Sequence, residues 1–230
     1  MKIAGLQRTS LIDYPEHIAT VVFTQGCNYR CPYCHNSSLI DNSFQESSYL
    51  TLEDFWSFIK KRKKLIDGVS ITGGEPTLQT GLIDFIRELK AKGLKVKLDT
   101  NGSNPDILTE LIEENLLDYI AMDIKSSLKK YSKVTGQCDL DKVKKSIDLI
   151  KNLNIDYEFR TTVVPTLHTE EEFEDIGKLI SGAKLYFIQN FRPINTLDEK
   201  LKELSSFPPD KLNRFKEIVS PYVAKVEIRN

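Results

Sequence analysis

Residues Ile18 to His35 read IATVVFTQGCNYRCPYCH. The run Ile18 to Thr24 is apolar and rich in β-branched residues, the composition of a buried strand, and Gly26 ends it. The loop that follows places Cys27, Cys31 and Cys34 within eight residues. The arrangement returns further on, where the short strand Gly68 to Thr72 runs into Gly73-Gly74-Glu75-Pro76. A strand feeding a functional loop, then a helix, is the unit from which parallel sheets are built.

Working outward, strands and helices alternate. Thr51 to Leu65 is a predicted helix, with Leu52, Phe55, Trp56 and Ile59 on one face and Thr51 at its start. Gln79 to Lys92 is the next helix, ended by Gly93. Leu94 to Asp99, Tyr119 to Lys125, Ile155 to Val164 and Leu185 to Phe191 are predicted strands. Pro105 to Asn115, Leu140 to Leu153, Glu170 to Ile180 and Asp210 to Val219 are helices, and Ala224 to Arg229 is a candidate last strand. About six βα units result, which fit either an open doubly wound sheet or a full or partial α/β barrel. Both place functional groups at the C-terminal ends of the strands. The sequence agrees: the cysteine loop, the Gly-Gly-Glu-Pro turn, Asp99-Thr100-Asn101-Gly102, Asp123-Ile124-Lys125, Arg160 and Gln189-Asn190 all fall in or just after predicted strands. Asp123 and Lys125 are two apart, so their side chains share one face.

The chain has 230 residues and a formal net charge of −1, with no basic excess of the kind nucleic acid binding requires. No apolar run is long enough for a signal peptide or a membrane span. The expectation is a cytoplasmic protein with no membrane or nucleic acid partner. One domain over 1–230 is expected, with an N-terminal extension at 1–17, a barrel core at 18–190 and a C-terminal helix and possible strand at 191–230.

Three crowded cysteines in such a protein point to a metal or cluster site rather than to disulfides. Three thiolates on a four-iron cube leave one iron open to a further ligand. The same residues fit other chemistry. Cys31-Pro-Tyr-Cys34 has the form of a glutaredoxin redox pair, Cys31-Pro-Tyr-Cys34-His35 that of a haem attachment site, and Cys27, Cys31, Cys34 and His35 that of a zinc site. The redox pair leaves Cys27 and the glycine-glutamate turn unexplained.

The spacing Cys-x3-Cys-x2-Cys with Tyr33 before the last cysteine, followed in order by Gly73-Gly74-Glu75-Pro76, resembles the signature of the radical S-adenosylmethionine (SAM) superfamily. Within it, GLQRTSLIDYP, TQGCNYRCPYCHN, DTNG, MDIK and RTTVVP resemble the activating proteins of anaerobic ribonucleoside-triphosphate reductase, a glycyl radical enzyme. The resemblance spans nearly the whole chain. It implies an α/β fold, a partial and laterally open (β/α)6 barrel, with one [4Fe–4S] cluster held by Cys27, Cys31 and Cys34. It implies SAM chelating the open iron, with Tyr33 beside the adenine and Gly73 and Gly74 at the methionine moiety. Glu75 would accept the SAM ammonium and Lys125 would meet its carboxylate. Asp99 and Asp123 would lie near SAM, where a monovalent cation can also sit, and Asn101, Arg160 and Gln189 complete the cofactor set. The implied partners are a glycyl radical protein, anaerobic ribonucleotide reductase, and an electron donor such as flavodoxin or ferredoxin. Pyruvate formate-lyase activases carry a histidine near the end of the sixth strand, whereas Phe187 to Phe191 has none. Alternatives are a pyruvate formate-lyase activase, a radical SAM enzyme acting on a small molecule, like 7-carboxy-7-deazaguanine synthase, and a non-catalytic zinc or electron-transfer module.

Each residue also has a plainer reading. Glu75 can cap the next helix, Asp99 can serve a turn, and Asp123 with Lys125 can be an ion pair. Arg160 can pair with Glu158 or Asp99. His17 and His168 read as surface residues, His35 as a neighbour of the cluster rather than a ligand, and Cys138 as a lone thiol. Lys60 to Lys64 closes a helix, where cations suit the dipole. Leu6 to Pro15 and Ser126 to Gly136 are candidate docking segments.

Overall fold

A computed structural model describes residues 1–40 and 49–230. Among these described residues there are eight strands: β1 Ile3–Ser10, β2 Ala19–Thr24, β3 Gly68–Gly73, β4 Lys95–Thr100, β5 Tyr119–Asp123, β6 Asp156–Val163, β7 Tyr186–Asn190 and β8 Val226–Arg229. The described residues also form seven α-helices: α1 Leu52–Arg62, α2 Leu82–Ala91, α3 Pro105–Glu113, α4 Tyr131–Thr135, α5 Leu140–Lys151, α6 Glu170–Leu179 and α7 Pro209–Val219. The strands are ordered in the sheet as in the chain, and the sheet is open, with β1 and β8 at its ends. The fold is α/β with an unclosed sheet, as the alternation of elements predicts.

The chain forms two compact units. The first comprises Met1–Asn28, Asp106–Ile120 and the described residues of Ser38–Thr100. In it β2 and β3 pair in parallel, in register from Ala19 opposite Gly68 to Thr24 opposite Gly73, and β3 pairs with β4 in the same sense. The β2 burial pattern is almost continuous, as expected of a strand covered on both faces. α1 starts where the Thr51 hydroxyl accepts the Asp54 N–H, and it buries Phe55 and Ile59, one helical turn apart. The N-terminal residues, expected as an extension, form strand β1, antiparallel to β2. Its outer half, Gln7 to Thr9, is exposed and shows no alternation of apolar residues.

The second unit comprises Tyr29–Ser37, Asn101–Pro105 and Ala121–Asn230. β6, β7 and β8 pair in parallel. α5 is capped by Asp139, and α6 by a reciprocal box of Thr169 and Glu172. Stacked Phe173 and Phe215, with centroids 4.1 Å apart, join α6 to α7. No helix among the described residues is long and apolar enough to cross a membrane.

Candidate active site

In the first unit the cysteine loop begins under tight backbone control. Gly26 donates to the Leu39 carbonyl at 2.7 Å, Gly74 N–H to the Thr24 carbonyl at 2.9 Å, and Glu75 N–H to the Gly26 carbonyl at 2.8 Å. The Gln79 amide reaches the Gln25 carbonyl at 2.5 Å. The Gly-Gly-Glu turn thus continues the β2–β3 ladder past the strand ends and fixes the two residues before Cys27. The two glycines leave room for the chain's own backbone: a Cβ on Gly73 would lie 2.3 Å from the Thr24 nitrogen, and one on Gly74 2.0 Å from the Gly26 oxygen. Gly73 also has φ +114°, which side chains disfavour.

Glu75 is buried. One of its carboxylate oxygens accepts the Thr77 N–H at 3.1 Å, the Thr77 hydroxyl at 2.6 Å and the Thr100 hydroxyl at 2.7 Å. The capping role is therefore realised, over a short 3-10 turn at Pro76–Leu78, and the same carboxylate ties this turn to the end of β4. Asp99 is ion-paired with the buried Lys97 two residues before it on β4. Cys27 is half-buried and its sulfur is not in a disulfide.

In the second unit the rest of the loop is held from outside. Arg30 N–H donates to the Thr135 carbonyl at 2.8 Å, at the end of α4, and Asp198 N–H donates to the Pro32 carbonyl at 2.9 Å. The His35 ring donates to the Arg192 carbonyl at 2.8 Å. Cys34 N–H closes a turn on the Cys31 carbonyl at 3.1 Å, so these thiols leave one tight bend. Cys31 is buried, Cys34 half-buried, and both are unbridged. Burial pushes the Cys34 thiol up, against the pull of the Lys125 ammonium. Cys138, from outside the loop, places its sulfur 3.3 Å from the hydroxyl of the loop residue Tyr29.

Tyr33 is buried, with its ring edge-on to His168 at 6.5 Å, and its hydroxyl has no hydrogen-bond partner among the described residues. His168 corrects the surface expectation, being only 2% exposed. Its Nδ1 accepts the Val164 N–H at 3.1 Å, so Nε2 carries the proton and donates to the Lys125 carbonyl at 3.1 Å. Burial lowers its pKa and keeps the ring neutral.

Asp123 lies between two cations. Its Oδ2 is 2.8 Å from the Lys125 ammonium and its Oδ1 2.5 Å from Arg160 Nε. Burial pushes the carboxyl up, but Arg160 and Lys125 together outweigh it and hold the pKa well below the usual range. Arg160 pairs first with Asp123, a partner the sequence reading did not name, and more distantly with Glu158 at 3.9 Å. Asn101 is buried and its Oδ1 accepts the Ser103 N–H at 2.9 Å, a local turn bond. Gln189 is half-buried on β7, in register between Thr162 and Arg229.

Among the described residues no three His, Cys, Asp or Glu side chains gather as ligands of a single ion. Three thiols on one loop, none bridged, have the chemistry of a cluster's donor set, in which each sulfur would take a different iron. The residues present fit that group.

The comparisons agree. The family model described as "Radical SAM superfamily" matches residues 21–180, more than half of the chain. The chain belongs to the radical SAM superfamily, and its implied cofactors are the [4Fe–4S] cluster and SAM. It is 38% identical over 233 residues to a candidate glycyl-radical enzyme activating enzyme of Methanocaldococcus jannaschii, covering 99% of this chain and 95% of that one. It is 27% identical to the pyruvate formate-lyase-activating enzyme of Clostridium pasteurianum, over 94% of this chain and 95% of that one. Among solved structures, Streptococcus suis SuiB bound to S-adenosylmethionine matches with a TM-score of 0.69 and 14% identity, over 91% of this chain. The chain spans half the length of that protein, and the likeness is one of fold.

Proposed function

We propose that this protein is a glycyl radical activating enzyme and that its partner is anaerobic ribonucleotide reductase. The observation that carries the activase reading is the 38% identity to the Methanocaldococcus jannaschii protein over almost the full length of both chains. The partner assignment rests on the N-terminal, cysteine-loop and DTNG, MDIK and RTTVVP segments together.

When bound, the cluster and SAM would supply one-electron radical chemistry directed at a glycine of the partner. The residues of this chain do the rest. Cys27, Cys31 and Cys34 hold the cluster from a loop whose start is fixed by Gly74 and Glu75 and whose later part is fixed through Arg30, Pro32 and His35. Lys125 presents an ammonium to the SAM carboxylate. Asp123, itself held by Arg160, keeps that ammonium charged and in place. Lys97, Lys125 and Arg160 already neutralise Asp99 and Asp123, so we assign that task to them in preference to a monovalent cation. Glu75, buried just past the end of β3, would accept the SAM ammonium, as the Gly-Gly-Glu-Pro resemblance implies. Tyr33, Asn101 and Gln189 complete the proposed cofactor contacts. An electron donor such as flavodoxin or ferredoxin would deliver the electron.

The test is anaerobic incubation of the iron-loaded protein with SAM, a reductant and candidate glycyl radical proteins. A glycine-centred doublet in the electron paramagnetic resonance of anaerobic ribonucleotide reductase, present only with this chain, is expected. Transfer of hydrogen from a small metabolite into 5′-deoxyadenosine, with no doublet on any partner, would replace this reading with the small-molecule one.

A further inference from the structure

We infer that Arg229, on the last strand, is a positioning residue for the Lys125 ammonium and acts through Glu158 and Arg160. This rests on the proposed contact between Lys125 and SAM.

The residues involved line one face of the second unit's sheet. Glu158 and Arg160 are two apart on β6, so their side chains point the same way. Arg160 is in register with Phe187 on β7, and Gln189 with Arg229 on β8. The Glu158 side chain is 1% exposed. A carboxylate removed from water this completely needs a cation and good hydrogen-bond geometry. Arg229 provides both, with its two terminal nitrogens 2.8 and 2.9 Å from the two carboxylate oxygens. Its guanidinium carbon lies 3.3 Å from the centroid of the Phe187 ring, which sets the plane of the fork.

The consequence falls on Arg160, which stands between two carboxylates. Its Nε is 2.5 Å from Asp123, whereas its nearest approach to Glu158 is 3.9 Å. Glu158 is already gripped on both oxygens by Arg229, so Arg160 is left to Asp123. Asp123 then shares its charge between Arg160 and Lys125. The signs alternate along the face: Lys125, Asp123, Arg160, Glu158, Arg229. Without Arg229, the buried Glu158 would draw the Arg160 guanidinium across the short gap. Asp123 would be left with Lys125 alone and would hold the ammonium more tightly, away from a ligand carboxylate. Arg229 thus decides, from the far end of the row, how available Lys125 is.

The experiment compares SAM binding by anaerobic calorimetry to iron-loaded wild type, Arg229→Ala, Arg229→Lys and the double variant Glu158→Gln/Arg229→Ala. The crystal structure of Arg229→Ala and the iron content of all four proteins are determined alongside. Arg229→Ala should weaken SAM about tenfold or more, the scale of one charge-assisted hydrogen bond. Arg229→Lys keeps the charge without the fork and should fall between. The double variant removes the competing carboxylate and should recover affinity, which a purely structural role for Arg229 would not give. Unchanged affinity in Arg229→Ala, or a double variant as weak as the single one at equal iron content, overturns the inference. If Arg229→Ala does not fold, Arg229→Lys and the double variant decide alone. If wild type itself fails to bind SAM, the Lys125 contact is wrong. The relay is then judged from the structure: Arg160 turned onto Glu158 in Arg229→Ala upholds it, and Arg160 still on Asp123 overturns it.

Discussion

A β-carbon on Gly74 would lie 2.0 Å from the carbonyl oxygen of Gly26, closer than any two such atoms can pack. That oxygen is backbone and accepts the Glu75 N–H, so it cannot turn aside. Gly74→Ala should cost about 3 kcal/mol or more, measured as a shift in urea midpoint, and should lower iron loading because Cys27 follows directly. Gly26→Ala is the control. Its added carbon meets nothing within 4 Å, and only its φ of +88° opposes it. It should cost about 1–2 kcal/mol. Equal losses in the two variants would show that backbone strain, not the close approach, governs the turn.

Cys27→Ala, Cys31→Ala and Cys34→Ala should each lose the visible absorbance and most of the iron of the anaerobically loaded protein. Cys138→Ala should keep both, since Cys138 lies outside the loop in the chain and its sulfur meets the loop at the Tyr29 hydroxyl. Full iron retention in Cys31→Ala would remove the three-thiolate assignment.

Lys125→Met should weaken SAM binding by about 1.5–3 kcal/mol, the range for a hydrogen bond to a charged group, with iron content unchanged. Arg160 remains to neutralise Asp123 in this variant, so folding should survive. An affinity equal to wild type would leave Lys125 with a structural role only.

His168 gives a pH dependence whose sign is fixed. Burial lowers its pKa in the folded protein, while in the unfolded chain it titrates near its ordinary value of about 6.5. Below that value the unfolded state takes up a proton that the folded state refuses. Its contribution to stability is therefore complete above about pH 6.5 and is lost as pH falls toward the folded value. Urea midpoints should drop between pH 7.5 and 5.5 in wild type and drop less in His168→Gln. The same slope in both would assign the acid sensitivity to other groups.

The Asp123 carboxyl behaves in the opposite range. Its pKa is held well below the ordinary one, so the ion pairs with Lys125 and Arg160 contribute fully above about pH 4. They fade only as pH falls toward the folded value. Asp123→Asn should therefore lower the urea midpoint at pH 7, and the deficit should narrow on acidification below about pH 4.

Most of the strands and helices, β1 and α4 apart, were legible in the local sequence, because burial on one or both faces writes its period into consecutive residues. Ile18 to Thr24 and Gly68 to Thr72 read as strands from their β-branched residues and short length, and the cysteine loop and the Gly-Gly-Glu-Pro turn come next after them in the chain. Strand β1 was hidden because an edge strand with Gln7, Arg8 and Thr9 in water has no apolar alternation to read. The burial of His168 was hidden because both of its hydrogen bonds go to backbone atoms, which carry no residue identity. Only the tertiary structure brought Arg229 to Glu158, 71 residues away in the chain, and so gave Arg160 to Asp123. Charges two apart on a strand can be placed on one face from sequence, but which of two carboxylates an arginine chooses depends on what the neighbouring strands have already neutralised.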